Sequence, residues 1–170
     1  MSKLTFDCFT KKIFIKASKE KLYWCWGTAE GICSWFLNTA NYTSVLGEER
    51  KSSEHIQAGD SYTWKWHNWD GKETGKVLKA NGKDFLELSF ADSKVSIELE
   101  EHKKAVLVTL KQYEIPTDDE SKLSIHHGCS NGWTFWLANL KAYIEHDILL
   151  NEKEFDLRNI PLAGFEFVNM

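Results

Sequence analysis

Proline is nearly absent from this chain, with 2 in 170 residues, and nowhere do about 18 apolar residues run together, the length a membrane-crossing helix needs. The N-terminal segment MSKLTFDCFTKK lacks the apolar centre of a secretory leader. A soluble, cytoplasmic protein with no membrane insertion is therefore expected. Basic residues are not concentrated either: 21 Lys and Arg against 25 Asp and Glu give a formal charge of -4 and a pI near 5.9. The lysines are scattered among acids and form no stripe to follow a phosphate backbone, so nucleic acid is not an expected partner. No phosphate-cradling glycine loop occurs. The four cysteines, Cys8, Cys25, Cys33 and Cys129, have no C-x-x-C spacing, and they read as buried free thiols.

No linker, repeat or low-complexity segment divides the chain, so residues 1–170 read as a single domain. Hydrophobic residues make up 42%, enough for a core without disulfide staples. Phe9 to Ala17 alternates Ile13, Ile15 and Ala17 against Lys12, Phe14 and Lys16, the period of a half-buried strand. Ser18 is a candidate N-cap for a helix from Lys19 to Trp26. Gly27 and Thr28 stop that helix and open a second short one ending near Phe36.

From Tyr42 to Lys111 the pattern becomes strands separated by turn chemistry at Asp70-Gly71, Asn81-Gly82, Ala91-Asp92-Ser93 and Glu101 to Lys104. Asn-Gly and Asp-Gly suit a type I′ hairpin turn, which needs positive φ at both central positions. One parity is apolar: Tyr62, Trp64 and Trp66, then Leu86, Leu88 and Phe90, then Val95, Ile97 and Leu99, then Val106, Val108 and Leu110. The other carries Lys65, His67, Glu87, Ser89, Ser96, Glu98 and Thr109 and is expected to face water. Ile115 to Ser130 reads as a polar connection. After it, NGWTFWLANLKAYIEHDILL (131–150) places Trp133, Trp136, Leu137, Leu140, Tyr143 and Ile144 on one side of a helix, opposite Thr134, Ala138, Lys141 and Glu145. A curved antiparallel sheet crossed by a long helix is an α+β architecture.

That order of elements resembles the helix-grip fold of START-type lipid-transfer domains and the birch-pollen allergen, the SRPBCC superfamily. Within it, SKEKLYWCWGTAEGICSWF (18–36), with Leu22-Tyr23 and Trp35, and GWTFWLANLKAYIEH (132–146) are similar to the signatures of the branch named after activators of the heat-shock protein 90 ATPase. The resemblance spans about residues 9–150. It implies one START-like domain, and its members bind varied apolar ligands or assist chaperones. Many relatives have a Pro-Gly-Gly element and a basic hairpin where this chain has Ser44-Val45-Leu46-Gly47 and His67 to Gly71. The extension at 151–170 carries Phe155, Leu157, Ile160, Leu162, Phe165 and Phe167. It is too apolar for a free end and is expected to pack on the domain or on a second copy as a homodimer.

A helix gripping a bent sheet leaves room for a ligand, and pockets for small apolar molecules are lined by aromatic side chains with a few polar anchors. The candidate ligand-binding residues are Trp35, Phe36, Tyr62, Trp64, Trp66, Leu88, Phe90, Trp133, Trp136, Leu137 and Leu140. Two readings stay open for them: they line a cavity for a small hydrophobic or aromatic molecule, or they fill the core. Each buried indole N–H also needs an acceptor, which a polar or hydrated cavity would help to supply. No cofactor is implied, and no catalytic or metal-binding residue is assigned. His126-His127-Gly128-Cys129 offers too few ligands for a closed zinc site and reads as a solvated loop. Cys25 or Cys33 would need a histidine and an anion-stabilising pair to act as a nucleophile. The alternatives are a chaperone partner acting through its surface and an enzyme in which His67 or Tyr62 moves protons.

Overall fold

The structure, a computed structural model, describes residues 4–170; the first three residues of the N-terminal segment read above lie outside the described residues. A strand β1 (Cys8–Ile15) leads into two short helices, α1 (Lys19–Gly27) and α2 (Ala29–Cys33). Six strands follow: β2 (Thr39–Thr43), β3 (Ser61–Lys65), β4 (Glu73–Ala80), β5 (Phe85–Phe90), β6 (Ser93–His102) and β7 (Ala105–Tyr113). They form one antiparallel seven-stranded sheet in the order β1-β7-β6-β5-β4-β3-β2. The chain then runs helically through α3 (Asp119–Ser121), a π-helical segment (Lys122–Cys129) and α4 (Ser130–His146), and a final turn α5 (Ala163–Glu166) lies in the extension. This is the α+β helix-grip arrangement, with the long helix across the apolar face of the sheet. No helix among the described residues is long and apolar enough to cross a membrane.

The local signals act as their chemistry requires. Ser18 caps α1 by accepting from the Lys21 amide at 3.1 Å. Thr28 closes α1 and caps α2, its hydroxyl accepting from Gly31 N at 2.9 Å. Such caps satisfy amide groups that the first helical turn leaves without partners. The apolar parity of β5, β6 and β7 points inward: Leu86, Leu88, Val95, Ile97, Leu99, Val106, Val108 and Leu110 are all buried.

Four sequence expectations need correction. Residues 119–130 are helical instead of an open connection, because Asp118 caps the segment through its side chain to Ser121 N at 2.9 Å. Glu87 is buried on the outer face, where it accepts from Tyr113 Oη at 2.7 Å and meets Lys79 Nζ at 3.2 Å. The turn with positive φ at both central positions is Ala91-Asp92, at 46° and 54°. At Asn81-Gly82 the Asn81 side chain instead gathers the amides of Lys83, Asp84 and Phe85 into a wider loop. Asp70-Gly71 likewise lies in a long loop, since the last β3–β4 pair is Trp64 with Glu73.

The helix is sewn to the strand it crosses. Lys141 Nζ donates to the Phe14 carbonyl at 2.7 Å, Glu145 accepts from Lys16 N at 2.8 Å, and the two side chains pair at 2.6 Å. Beyond α4 the chain turns through Asp147 at a φ of 55°, in the left-handed region, and comes back over the open end of the grip.

Candidate ligand cavity

Between sheet and helix the aromatic side chains pack on one another. Trp35 lies 4.8 Å from Trp26 and 5.1 Å from Phe36, Phe36 lies 5.2 Å from Trp133, and Tyr62 lies 4.5 Å from Trp64, all between ring centroids. Pairs at such spacing contribute about 0.5–1.5 kcal/mol each beyond the area they bury. Trp35, Phe36, Tyr62, Trp64, Leu88, Trp133, Leu137 and Leu140 are all buried in this cluster. The interior of the grip at these positions is occupied by side chains.

Three of the buried indole groups find acceptors within the protein. Trp35 Nε1 donates to the Cys25 carbonyl at 3.0 Å, Trp64 Nε1 to Tyr42 Oη at 3.1 Å, and Trp133 Nε1 to Gln112 Oε1 at 2.9 Å. Gln112 passes the chain on through its amide to Ser93 Oγ at 2.9 Å. Trp26 Nε1 is buried with no partner. The polar groups expected of a hydrated cavity are thus mostly supplied by the core itself, through Gln112 and Tyr42, which the sequence did not single out.

A cavity of about 710 Å³ opens at the end of this aromatic cluster. Trp66 and Trp69 reach it from the loop after β3, Glu73 from the start of β4 and Phe90 from the end of β5. The helical side contributes His127 and Gly128 from the π segment and Asn131, Phe135 and Trp136 from α4. Phe165, Phe167 and Val168 of the extension form the remaining wall. A smaller hollow of about 140 Å³ shares Trp66, Phe90 and Trp136 with it and adds Phe36, Cys129 and Trp133. Of the residues expected to bind a ligand, Trp66, Phe90 and Trp136 line the larger cavity, while Phe36 and Trp133 border only the smaller one.

Local structure fixes each wall. Trp69 lies across the backbone of Gly71, where a Cβ would come within 2.3 Å of the indole ring, so only glycine admits that ring position. Trp69 also meets Trp66 edge-on at 5.5 Å. The π segment widens the helical backbone where it borders the cavity, a feature frequently found at functional sites. Its Gly128 and the following Gly132 present backbone to the space.

Asn68 anchors the extension. Its Nδ2 donates to the Glu152 carbonyl and its Oδ1 accepts from Leu157 N, both at 3.0 Å. Leu157 and Ala163 are buried, whereas Phe155, Leu162, Phe165 and Val168 remain exposed.

Glu73 is the charged side chain at the cavity. Its Oε1 accepts from Ala91 N at 3.0 Å. Burial, followed by the nearby Asp92, raises its pKa above the ordinary carboxyl value, against the lowering effect of the Ala91 amide. Asn131 Nδ2 lies 3.1 Å from His127 Nε2, so that ring nitrogen accepts.

The other candidates for chemistry lie apart. Tyr62 donates to the Ser89 carbonyl at 2.6 Å, and burial raises its pKa. His67 is held below the ordinary histidine value by burial and by Lys153. Neither lines the cavity. All four cysteines are free. Burial pushes the Cys25 thiol up to about 12 and raises Cys33, which disfavours the thiolate a nucleophile needs. Among the described residues, no group of three or more His, Cys, Asp or Glu side chains gathers as a metal site.

The sequence pattern described as "Activator of Hsp90 ATPase homolog 1-like protein" matches residues 16–145, from the end of β1 to the last turn of α4. The chain belongs to this family. The activator of Hsp90 ATPase homolog 1-like proteins fall within the SRPBCC superfamily, and solved structures share the fold. The protein SSP2350 from Staphylococcus saprophyticus aligns with a TM-score of 0.67 at 18% identity, covering 84% of this chain and 95% of its own. The Aha1 dimer from Colwellia psychrerythraea aligns at 0.63 and 21% identity, covering 82% and 96%. CalU16 from Micromonospora echinospora aligns at 0.61 and 16% identity, covering 82% and 77%. At these identities the likeness concerns the fold alone. No curated protein matches the sequence. The family match ends before the extension, so the wall formed by Phe165 and Phe167 lies outside the shared region.

Proposed function

We propose that the protein binds a small hydrophobic or aromatic molecule in the cavity between the β3–β4 loop, the start of α4 and the C-terminal extension. The observation that carries this reading is an aromatic wall of Trp66, Trp69, Phe90 and Trp136 around about 710 Å³. Ligand pockets commonly occupy about 300–1,000 Å³ and combine such walls with a few polar groups. The deeper aromatic side chains support the wall, and the hollow that Phe36 and Trp133 border measures about 140 Å³. The four free thiols fit a reducing compartment, and with it a cytoplasmic location.

Titration with the uncharged fluorophore N-phenyl-1-naphthylamine tests the reading, alongside native mass spectrometry of the freshly purified protein. Saturable binding that weakens at least several-fold in Trp66→Ala and Trp136→Ala is expected. Absence of saturable binding, or wild-type affinity in both variants, would remove the ligand from this cavity.

A second reading rests on the exposed Phe155 and Leu162 of the extension: a homodimer formed through this segment. The Colwellia relative is described as a dimer. Sedimentation of the wild type should give a dimer that Phe155→Asp and Leu162→Asp convert to monomer; a monomeric wild type at high concentration would sink the idea.

A further inference from the structure

We infer that the cavity takes its ligand as a cation, a hydrophobic amine whose ammonium group sits against Glu73 and the surrounding aromatic faces while its apolar body lies along Trp66 and Trp136. The inference rests on the ligand-binding reading and adds the charge of what binds. Among the described residues that line the cavity, Glu73 carries the only charged side chain, and no lysine or arginine accompanies it. Its Oε1 is held by Ala91 N, and its Oε2 has no hydrogen-bond partner among the described residues. No salt bridge to Glu73 occurs among them either. In the neighbouring hollow Lys94 is the basic group, and its ammonium pairs with Glu114 at 2.8 Å.

A half-buried carboxylate without a counter-ion is costly, and a cation supplied by the ligand would offset that cost. Asp92 adds negative potential from the β5–β6 turn. The electron-rich ring faces of Trp66, Trp69, Phe90 and Trp136 attract a cation on their own account, most strongly where water is excluded. His127 also borders the cavity, with its Nε2 3.1 Å from Asn131 Nδ2. An anionic ligand of the same shape would meet Glu73 with no lysine or arginine among the described lining residues to receive it.

The test uses three probes on one skeleton: 2-naphthylmethylamine, 2-naphthalenemethanol and 2-naphthoic acid, titrated by calorimetry into the full chain and into Glu73→Gln at neutral pH. The amine should bind the wild type about tenfold more tightly than the alcohol, and the acid least well. In Glu73→Gln the amine should fall to the level of the alcohol, with the alcohol unchanged. Glutamine keeps an oxygen for Ala91 N, and a matching near-ultraviolet circular dichroism spectrum verifies the fold. Should that variant not fold, the wild-type order of the three probes decides alone. Alcohol or acid binding as tightly as the amine, or an amine preference that survives in Glu73→Gln, would overturn the cation while leaving the cavity as a ligand site. Failure of all three to bind would overturn the ligand-binding reading and this inference with it.

Discussion

Asn139, fully buried on α4, donates from Nδ2 to the backbone carbonyl of Trp35 at 2.6 Å. Its Oδ1 accepts from Leu150 N, also at 2.6 Å. One amide thus ties the middle of the long helix to the end of the short-helix pair and to the chain leaving α4. The shape-matched substitution Asn139→Leu would leave the Trp35 carbonyl buried without this partner, at about 1–3 kcal/mol, and would also remove the part-buried bond to Leu150 N, at about 0.5–1.5 kcal/mol. A loss of about 2–4 kcal/mol in urea denaturation is expected, and an unchanged midpoint would show that both groups find new partners.

The docking of the extension depends on Leu157 and on Asn68. Truncating a buried leucine costs about 2–5 kcal/mol where the site cannot collapse. Here that cost falls on a segment that can open by itself. Leu157→Ala should therefore speed proteolytic cleavage within residues 151–170 by tenfold or more while barely moving the global melting temperature. Equal cleavage rates would mean that the extension is held elsewhere.

A proton-linked cost resides in Glu73. Because burial raises its folded pKa above the ordinary 4.5, the native state binds the proton more tightly than the unfolded chain does. Stability from this group is fully present below 4.5 and is lost as pH rises through the raised value. Glu73→Gln should be more stable than wild type at neutral pH, and the difference should shrink at about pH 4. Paired urea titrations at the two pH values check it; a constant difference would remove the linkage.

His67 has the opposite sign. Its folded pKa lies below the ordinary 6.5, through burial and then Lys153, so its contribution is present above 6.5 and lost as pH falls through the lowered value. Acidification should loosen the loop carrying Trp66, Asn68 and Trp69, with faster hydrogen exchange there and in residues 151–170. In His67→Gln this pH dependence should be absent.

Much of the fold was legible because β6 and β7 alternate cleanly and because Ser18 and Thr28 are capping residues directly before helical segments. The parity of Val95, Ile97 and Leu99 gave the correct face without further information. Strand β4, by contrast, is ETGKVLKA, whose single fully buried residue is Val77, and so little alternation identifies no face. The π segment was hidden because KLSIHHGC lacks an apolar stripe, and its helical start depends on the Asp118 cap.

At the site, periodicity named inward residues but not their depth. Trp35 and Trp64 point inward as the pattern requires, but neighbouring side chains fill the space they face. Trp69, Phe135 and Glu73 line the cavity through a loop path, a helix shoulder and a strand end, which no period encodes. Asn139 carried a signal that could have been used: a lone amide between Leu137 and Leu140 on a helix with tryptophans at 133 and 136 has to find a partner if it is buried.

The pairing of β1 with β7 sets Cys8 opposite Tyr113, so the first strand completes the sheet only after more than a hundred residues have been ordered. The β3–β7 meander is joined by sequential hairpins and can assemble from local contacts, whereas β1 must close the longest loop in the sheet. The folding nucleus is therefore expected in β5, β6 and β7, with the N-terminal strand arriving late. Until it docks, the free edge of β7 exposes unpaired backbone beside Val106, Val108 and Leu110. This interval is when the chain is most open to pairing with another copy of itself.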